Sequence, residues 1–205
     1  MQGLIKIDKM GGGNEEKKMK ENIYIPKGTL ISQMVQKCSY MKVLEIFFKE
    51  PTSIHFIKEI SKKIKLAPPS VRLHMADLIK EKFIVRKESK PFDGYVANRE
   101  NESFIYSKRF YNFLSLEPLK NYIMENLYPK SLVLFGSYCL GEDVEESDID
   151  ILIVSNSKKD IDLLSFEKTL SRKINFIFVK NIKDLDEKIQ AKIKNGIVLG
   201  GFLDG

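Results

Sequence analysis

SLVLFGSYCLGEDVEESDIDILIV, residues Ser131 to Val154, is the stretch that decides the fold. Ser131–Phe135 is an apolar run of strand length that stops at Gly136-Ser137, and Ile149–Val154 is a second run that begins among acids. Polar chemistry is therefore expected where the strands end. Gly136 lets backbone approach a ligand closely, and Ser137 adds a hydroxyl beside N–H groups, a combination suited to a polyphosphate. Asp148 and Asp150 are two apart, so on a strand they share one face while Ile149 and Ile151 take the other. Two carboxylates beside a phosphate cradle suggest a magnesium site. The competing reading is an acidic hairpin with GEDVEESD as a solvated turn, which leaves Gly-Ser and the alternation unexplained.

Gly136-Ser137, Gly141 and Ser147-Asp148-Ile149-Asp150 together resemble the GS…G…SDxD signature of the polymerase-β-like nucleotidyltransferases, particularly the minimal nucleotidyltransferase branch. The closing NGIVLGG resembles the tail of that branch, so the resemblance covers about Glu117–Gly205. It implies that Gly136, Ser137 and Ser147 hold the phosphates of ATP or another NTP. Asp148 and Asp150 would then be the catalytic carboxylates and bind Mg2+ or Mn2+. A third acid, set between apolar residues on the next strand, normally completes the metal site. The matching trio here is Ile174-Asn175-Phe176, so Asn175 stands in for the acid, unless the register is one strand out. An amide coordinates through its carbonyl but cannot accept a proton at neutral pH. Asp160 and Asp162 are the nearby acids that could substitute.

Outward from this stretch the chain divides by charge. Residues up to Leu116 carry 22 Lys and Arg against 13 Asp and Glu, a balance of +9, and the remainder 12 against 15, a balance of −3. Residues 1–28, with Gly11-Gly12-Gly13, read as a flexible leader in which only Ile23–Ile25 suggests a strand. From Leu30 an apolar helical pattern runs to Pro51. Thr52-Ser53 is expected to cap a second helix over His55–Ile64, and Ser70–Lys82 to form a third. Phe83–Lys87 and Tyr95–Asn98 read as a hairpin around the Ser89–Gly94 turn. This order resembles the winged helix-turn-helix domains of prokaryotic transcription regulators. It implies a recognition helix with Ser70, Arg72 and His74 toward DNA, and Lys87 and Lys90 in the wing.

Glu102–Leu114 and Glu117–Leu127 read as connecting helices, the first with Phe104, Ile105, Phe110, Tyr111, Phe113 and Leu114 as a packing face. After Val154 a helix over Ile161–Ser171, a strand over Lys173–Lys180 and a helix over Ile182–Asn195 complete the pattern. Cys38 and Cys139 lie in no motif and read as small apolar residues, and His55 and His74 are not at metal-ligand spacing. No apolar run reaches membrane-span length and no secretory leader is visible, so a cytoplasmic protein without membrane partners is expected.

The expectation is an α+β protein with a leader (1–28), a winged helix-turn-helix domain (29–100), a helical connector (101–128) and a nucleotidyltransferase domain built on a mixed sheet (129–205). It would bind NTP with Mg2+ and transfer a nucleoside monophosphate to a hydroxyl, a protein being one acceptor, with release of pyrophosphate. The alternative is a DNA-binding regulator that senses nucleotide without turning it over. A homodimer is expected from the winged-helix resemblance.

Overall fold

The computed structural model describes residues 38–156 and 161–203. The leader, the strand expected at Ile23–Ile25 and Asp160 lie outside these residues. The architecture is α+β, with one four-stranded mixed sheet, a two-stranded hairpin and helices packed on both.

Three helices open the described chain: α1 (Ser39–Lys49), α2 (Ile57–Ile64) and α3 (Pro68–Lys80). In α1 the residues Val43, Leu44, Ile46, Phe47 and Phe48 are buried, one face at helical spacing. Pro68 and Pro69 start α3, where the missing N–H of proline costs no intrahelical bond. The antiparallel strands β1 (Ile84–Lys87) and β2 (Gly94–Ala97) follow. Phe47, Phe48, Ile60, Val71, Met75, Leu78 and Ile84 form a common core, which Phe104 of the next helix, α4 (Glu102–Ser115), completes.

The start of α2 corrects the expectation. Thr52 and Ser53 do not cap it; its N-cap is Phe56, with no side-chain bond. His55 is extended rather than helical and bridges to Tyr95 of β2. Its ring is buried, with Nε2 3.0 Å from the Glu50 carbonyl. The packing face of α4 also differs. Its buried residues are Phe104, Lys108 and Asn112, spaced i, i+4, i+8, while Phe110 and Phe113 are exposed. Polar side chains occupy that stripe because an ionic cluster lies beneath it.

The sheet runs in the order β5–β4–β3–β6, with β3 (Ser131–Phe135), β4 (Ile149–Val154), β5 (Ile174–Val179) and β6 (Ile197–Gly201). β3 is antiparallel to both neighbours, whereas β4 and β5 are parallel. Both faces are covered. Leu132, Leu134, Ile149, Ile151 and Ile153 pack with α5 (Glu117–Leu127), α6 (Gly136–Leu140) and α7 (Leu164–Leu170). Val133, Phe135, Leu152 and Val154 meet Ile193 of α8 (Glu187–Lys194) on the other face. This double cover explains why the central strands are apolar throughout.

Three elements differ from the sequence reading. The helix expected over Ile161–Ser171 starts only at Leu164, whose N–H is bound by the Asp162 carboxylate at 3.0 Å. The one expected over Ile182–Asn195 is a 3-10 turn, Ile182–Asp184, followed by α8, because the Asp186 side chain caps Ile189 N at 3.0 Å and restarts the chain as a helix. NGIVLGG forms an edge strand despite its glycines. At Gly201, with φ +74°, a Cβ would lie 2.0 Å from the Lys130 carbonyl oxygen, so glycine is required there.

Candidate active site

The parallel pairing of β4 and β5 sets Asp150 opposite Asn175. The alternation of β4 places Asp150 on the face of Leu152 and Val154, and that of β5 places Asn175 with Ile177 and Val179. Both polar residues therefore emerge at the strand starts, past the apolar part of that face. The register is as read from sequence. The Asn175 amide nitrogen donates to Asp148 Oδ2 at 3.0 Å and lies 3.4 Å from Asp150 Oδ1. Asp148 sits one residue ahead of β4 and reaches the same cluster.

Gly136 closes the cluster from β3. Phe135 pairs with Asp150 across the antiparallel ladder, and Gly136 follows with φ +77°. A Cβ there would lie 2.6 Å from Asp150 Oδ2, so any side chain would displace the carboxylate. Ser137 is half-buried in the first turn of α6. Ser147 is engaged within its own loop: its hydroxyl accepts from Val144 N at 2.9 Å and its N–H donates to Val144 O at 3.0 Å. Asp162 is held by its turn, away from this hydrogen-bonded group.

Two carboxylates and an amide oxygen, after a flip of the Asn175 side chain, are hard oxygen donors of the kind Mg2+ accepts. The present orientation of Asn175 fits this, since its N–H group stands where two adjacent negative charges call for a positive partner. Among the described residues no cluster of three or more acid, histidine or cysteine side chains that could hold a metal exists.

Residues 117–201 match the polymerase beta, nucleotidyltransferase family. Two proteins of Methanocaldococcus jannaschii are also similar. "Putative protein adenylyltransferase MJ0604" is 39% identical over 70 residues, covering 26% of this chain and 70% of that protein. "Putative protein adenylyltransferase MJ1379" is 36% identical over 70 residues, covering 31% of this chain and 70% of that protein. The chain belongs to the polymerase-β nucleotidyltransferase family. No solved structure matches it significantly.

In this member of the family the loop between α6 and β4 is tied down by residues that the sequence reading did not single out. Asp143 is buried against Lys108 at 2.9 Å, Arg172 at 3.4 Å and Asn112 Nδ2 at 2.7 Å. Lys108 also donates to the Asp143 carbonyl. Burial favours loss of the Lys108 proton and lowers its pKa, while Asp143 opposes that shift. Glu145 accepts four hydrogen bonds, from Thr52 N and Oγ1 at 3.0 and 2.7 Å and from Ser53 N and Oγ at 3.1 and 2.9 Å. Partial burial works against its ionisation, but these donors prevail and hold its carboxyl below the ordinary range. Two acids of GEDVEESD are thus structural anchors rather than solvated turn residues. Their sign in the sequence was the polar pair Lys108 and Asn112, at helical spacing from Phe104 on α4.

A cleft of about 690 Å³ opens beside Asp148, lined by Glu145, Glu146 and Ser147 on one side and by Lys168 and Lys173 on the other. The residues read as a DNA surface belong to other elements. Arg72 on α3, Lys87 at the end of β1 and Lys90 in the hairpin connection are exposed, and Ser70 is half-buried. His74 is bonded to Ser39 Oγ at 2.9 Å with Tyr40 edge-on, so its ring packs against α1. No described helix is long and apolar enough to cross a membrane.

Proposed function

We propose that the chain is a magnesium-dependent protein adenylyltransferase, moving AMP from ATP to a side-chain hydroxyl of another protein and releasing pyrophosphate. The observation that carries this reading is the meeting of Asp148, Asp150 and Asn175 beside Gly136, with the register Asp150–Asn175. The names of the two archaeal relatives support the choice of AMP and of a protein acceptor.

Asp148 and Asp150 would hold the metal, with Asn175 contributing its amide oxygen. When bound, Mg2+ neutralises phosphate charge and polarises the α-phosphorus. Gly136 leaves room for the triphosphate chain beside Asp150, and Ser137 offers it a hydroxyl donor. The incoming hydroxyl oxygen forms a bond to the α-phosphorus as the bond to pyrophosphate breaks. Asn175 has no basic atom for the hydroxyl proton, so that proton leaves through solvent and turnover is slow.

Pyrophosphate release from ATP with Mg2+ and a protein acceptor fraction tests the proposal. Release by the wild type that disappears in Asp148→Asn is expected, together with AMP covalently attached to protein. A second reading draws on Asn175: a regulator that binds nucleotide without transfer. The three helices and hairpin over residues 39–97, with exposed Arg72, Lys87 and Lys90, support a winged helix as its DNA-binding part. ATP-dependent DNA affinity without pyrophosphate release would favour this regulator over the enzyme.

A further inference from the structure

The sheet order sets Asp150 between two flanks, with Gly136 at the end of β3 on one side and Asn175 of β5 on the other. In the adenylyltransferase reading, on which this inference rests, the triphosphate chain lies on the Gly136 side. The attacking and leaving oxygens of a phosphoryl displacement stand in line on opposite sides of phosphorus. The acceptor hydroxyl therefore arrives from the β5 side.

That side is where the cleft of about 690 Å³ opens, between the approaches to β4 and β5 and the helix α7. Its two walls differ in chemistry. Glu146 and Asp148 lie on the wall that leads into β4, and Leu164, Lys168 and Lys173 on the other. The Lys173 carbonyl accepts from Ile149 N at 2.8 Å, which ties this lysine to the residue after Asp148. Both lysines are exposed, and neither side chain makes an ion pair or hydrogen bond among the described residues. Two of the carboxylates that share the cleft are engaged elsewhere: Glu167 accepts from Ile174 N at 3.0 Å, and Glu145 from Thr52 and Ser53. Leu164 is 64% exposed and adds apolar surface to the wall that carries the two cations. A triphosphate has no apolar part to cover a leucine, whereas an acidic peptide offers carboxylates and methylene groups together.

We propose that this cleft is the acceptor subsite and takes a protein segment whose reacting hydroxyl is flanked by acidic side chains, with Lys168 and Lys173 as the specificity-determining residues. The two ammonium groups pair with the flanking carboxylates while Leu164 covers their methylene stems. The hydroxyl is then presented at the Asp148 end of the cleft.

The test titrates the full chain with a fluorescent peptide carrying one serine between glutamates and with its glutamine counterpart, reading anisotropy at matched ionic strength. Affinity for Mg·ATP is measured separately on the same preparations. The glutamate peptide is expected to bind about tenfold more tightly than the glutamine one, and Lys168→Gln combined with Lys173→Gln to abolish that preference. Both lysines are exposed, so the double variant keeps the fold. Equal affinity for the two peptides in wild type, or a preference that survives in the variant, overturns the proposal. So does a variant that loses Mg·ATP affinity and keeps the peptide preference, which would assign the lysines to the triphosphate. Tighter binding of a single-stranded oligonucleotide than of the glutamate peptide also overturns it, in favour of a nucleic-acid acceptor. A wild type that binds no Mg·ATP refutes the nucleotide reading itself, while an intact glutamate preference in that protein still supports an acidic-peptide site.

Discussion

At the level of single residues, the proposed chemistry turns on Asn175. It occupies the position where a third carboxylate would face Asp148 and Asp150, and it donates to both. Asn175→Asp restores an acid able to bind metal and accept the hydroxyl proton. Pyrophosphate release is expected to rise on the order of 10²-fold, and a rate unchanged or lower would show that the amide suits a different task. Asp150→Asn is expected to lower release by about 10²-fold or more while leaving the thermal midpoint within a few degrees, since the carboxylate is not part of the core. Glu145 gives a pH signature. Its folded-state pKa is depressed by the Thr52 and Ser53 donors, so the stability it contributes is present above the unfolded value of about 4.3. That contribution is lost as pH falls through the lower folded value. Thermal midpoints of wild type and Glu145→Gln should differ at neutral pH and converge below about pH 4; a gap independent of pH would remove Glu145 from the linkage.

At the level of elements, the decisive features are glycine turns and the loop after α6. Gly141 ends α6 with φ +76°, and a Cβ there would lie 2.6 Å from the Ile105 carbonyl oxygen and 2.9 Å from Arg109 N, both backbone atoms of α4. Gly141→Ala therefore combines left-handed strain with a collision that no rotamer relieves, and a loss of about 2–4 kcal/mol is expected in denaturant unfolding. Strand bounds for β3 and β4 were legible from apolar runs with sharp polar ends. The split of Ile182–Asn195 was less so, since the apolar period continues through a point where Asp186 captures the Ile189 N–H. β6 was hidden because Gly200 and Gly201 are poor strand residues, yet Gly200 sits against the Met124 side chain and Gly201 against the Lys130 backbone, where a side chain has no room.

At the level of the whole molecule, the helices of residues 39–115 and the sheet are joined through one buried ionic group. Asp143 accepts from Lys108 and Asn112 of α4 and from Arg172, which also bonds the Lys49 carbonyl at the end of α1. Asp143→Ala leaves two buried cations facing each other and should cost about 3–5 kcal/mol. Proteolysis between Glu142 and Ser147 should accelerate with it, and an unchanged cleavage rate would mean that the joint does not hold this loop. The sequence by itself determined the central strands, the Gly136-Ser137 turn and the Asp148, Asp150 and Asn175 set. The strands, the turn and the Asp148–Asp150 pair follow from local alternation, a short polar break and a two-residue spacing, all properties of neighbours in the chain, whereas Asn175 was picked out by the family resemblance. Only the tertiary structure decided that Asp143 and Glu145 are anchors and that Thr52 and Ser53 donate to Glu145. Those contacts join residues from 29 to 93 positions apart, and burial beneath another element leaves no periodic trace in the sequence.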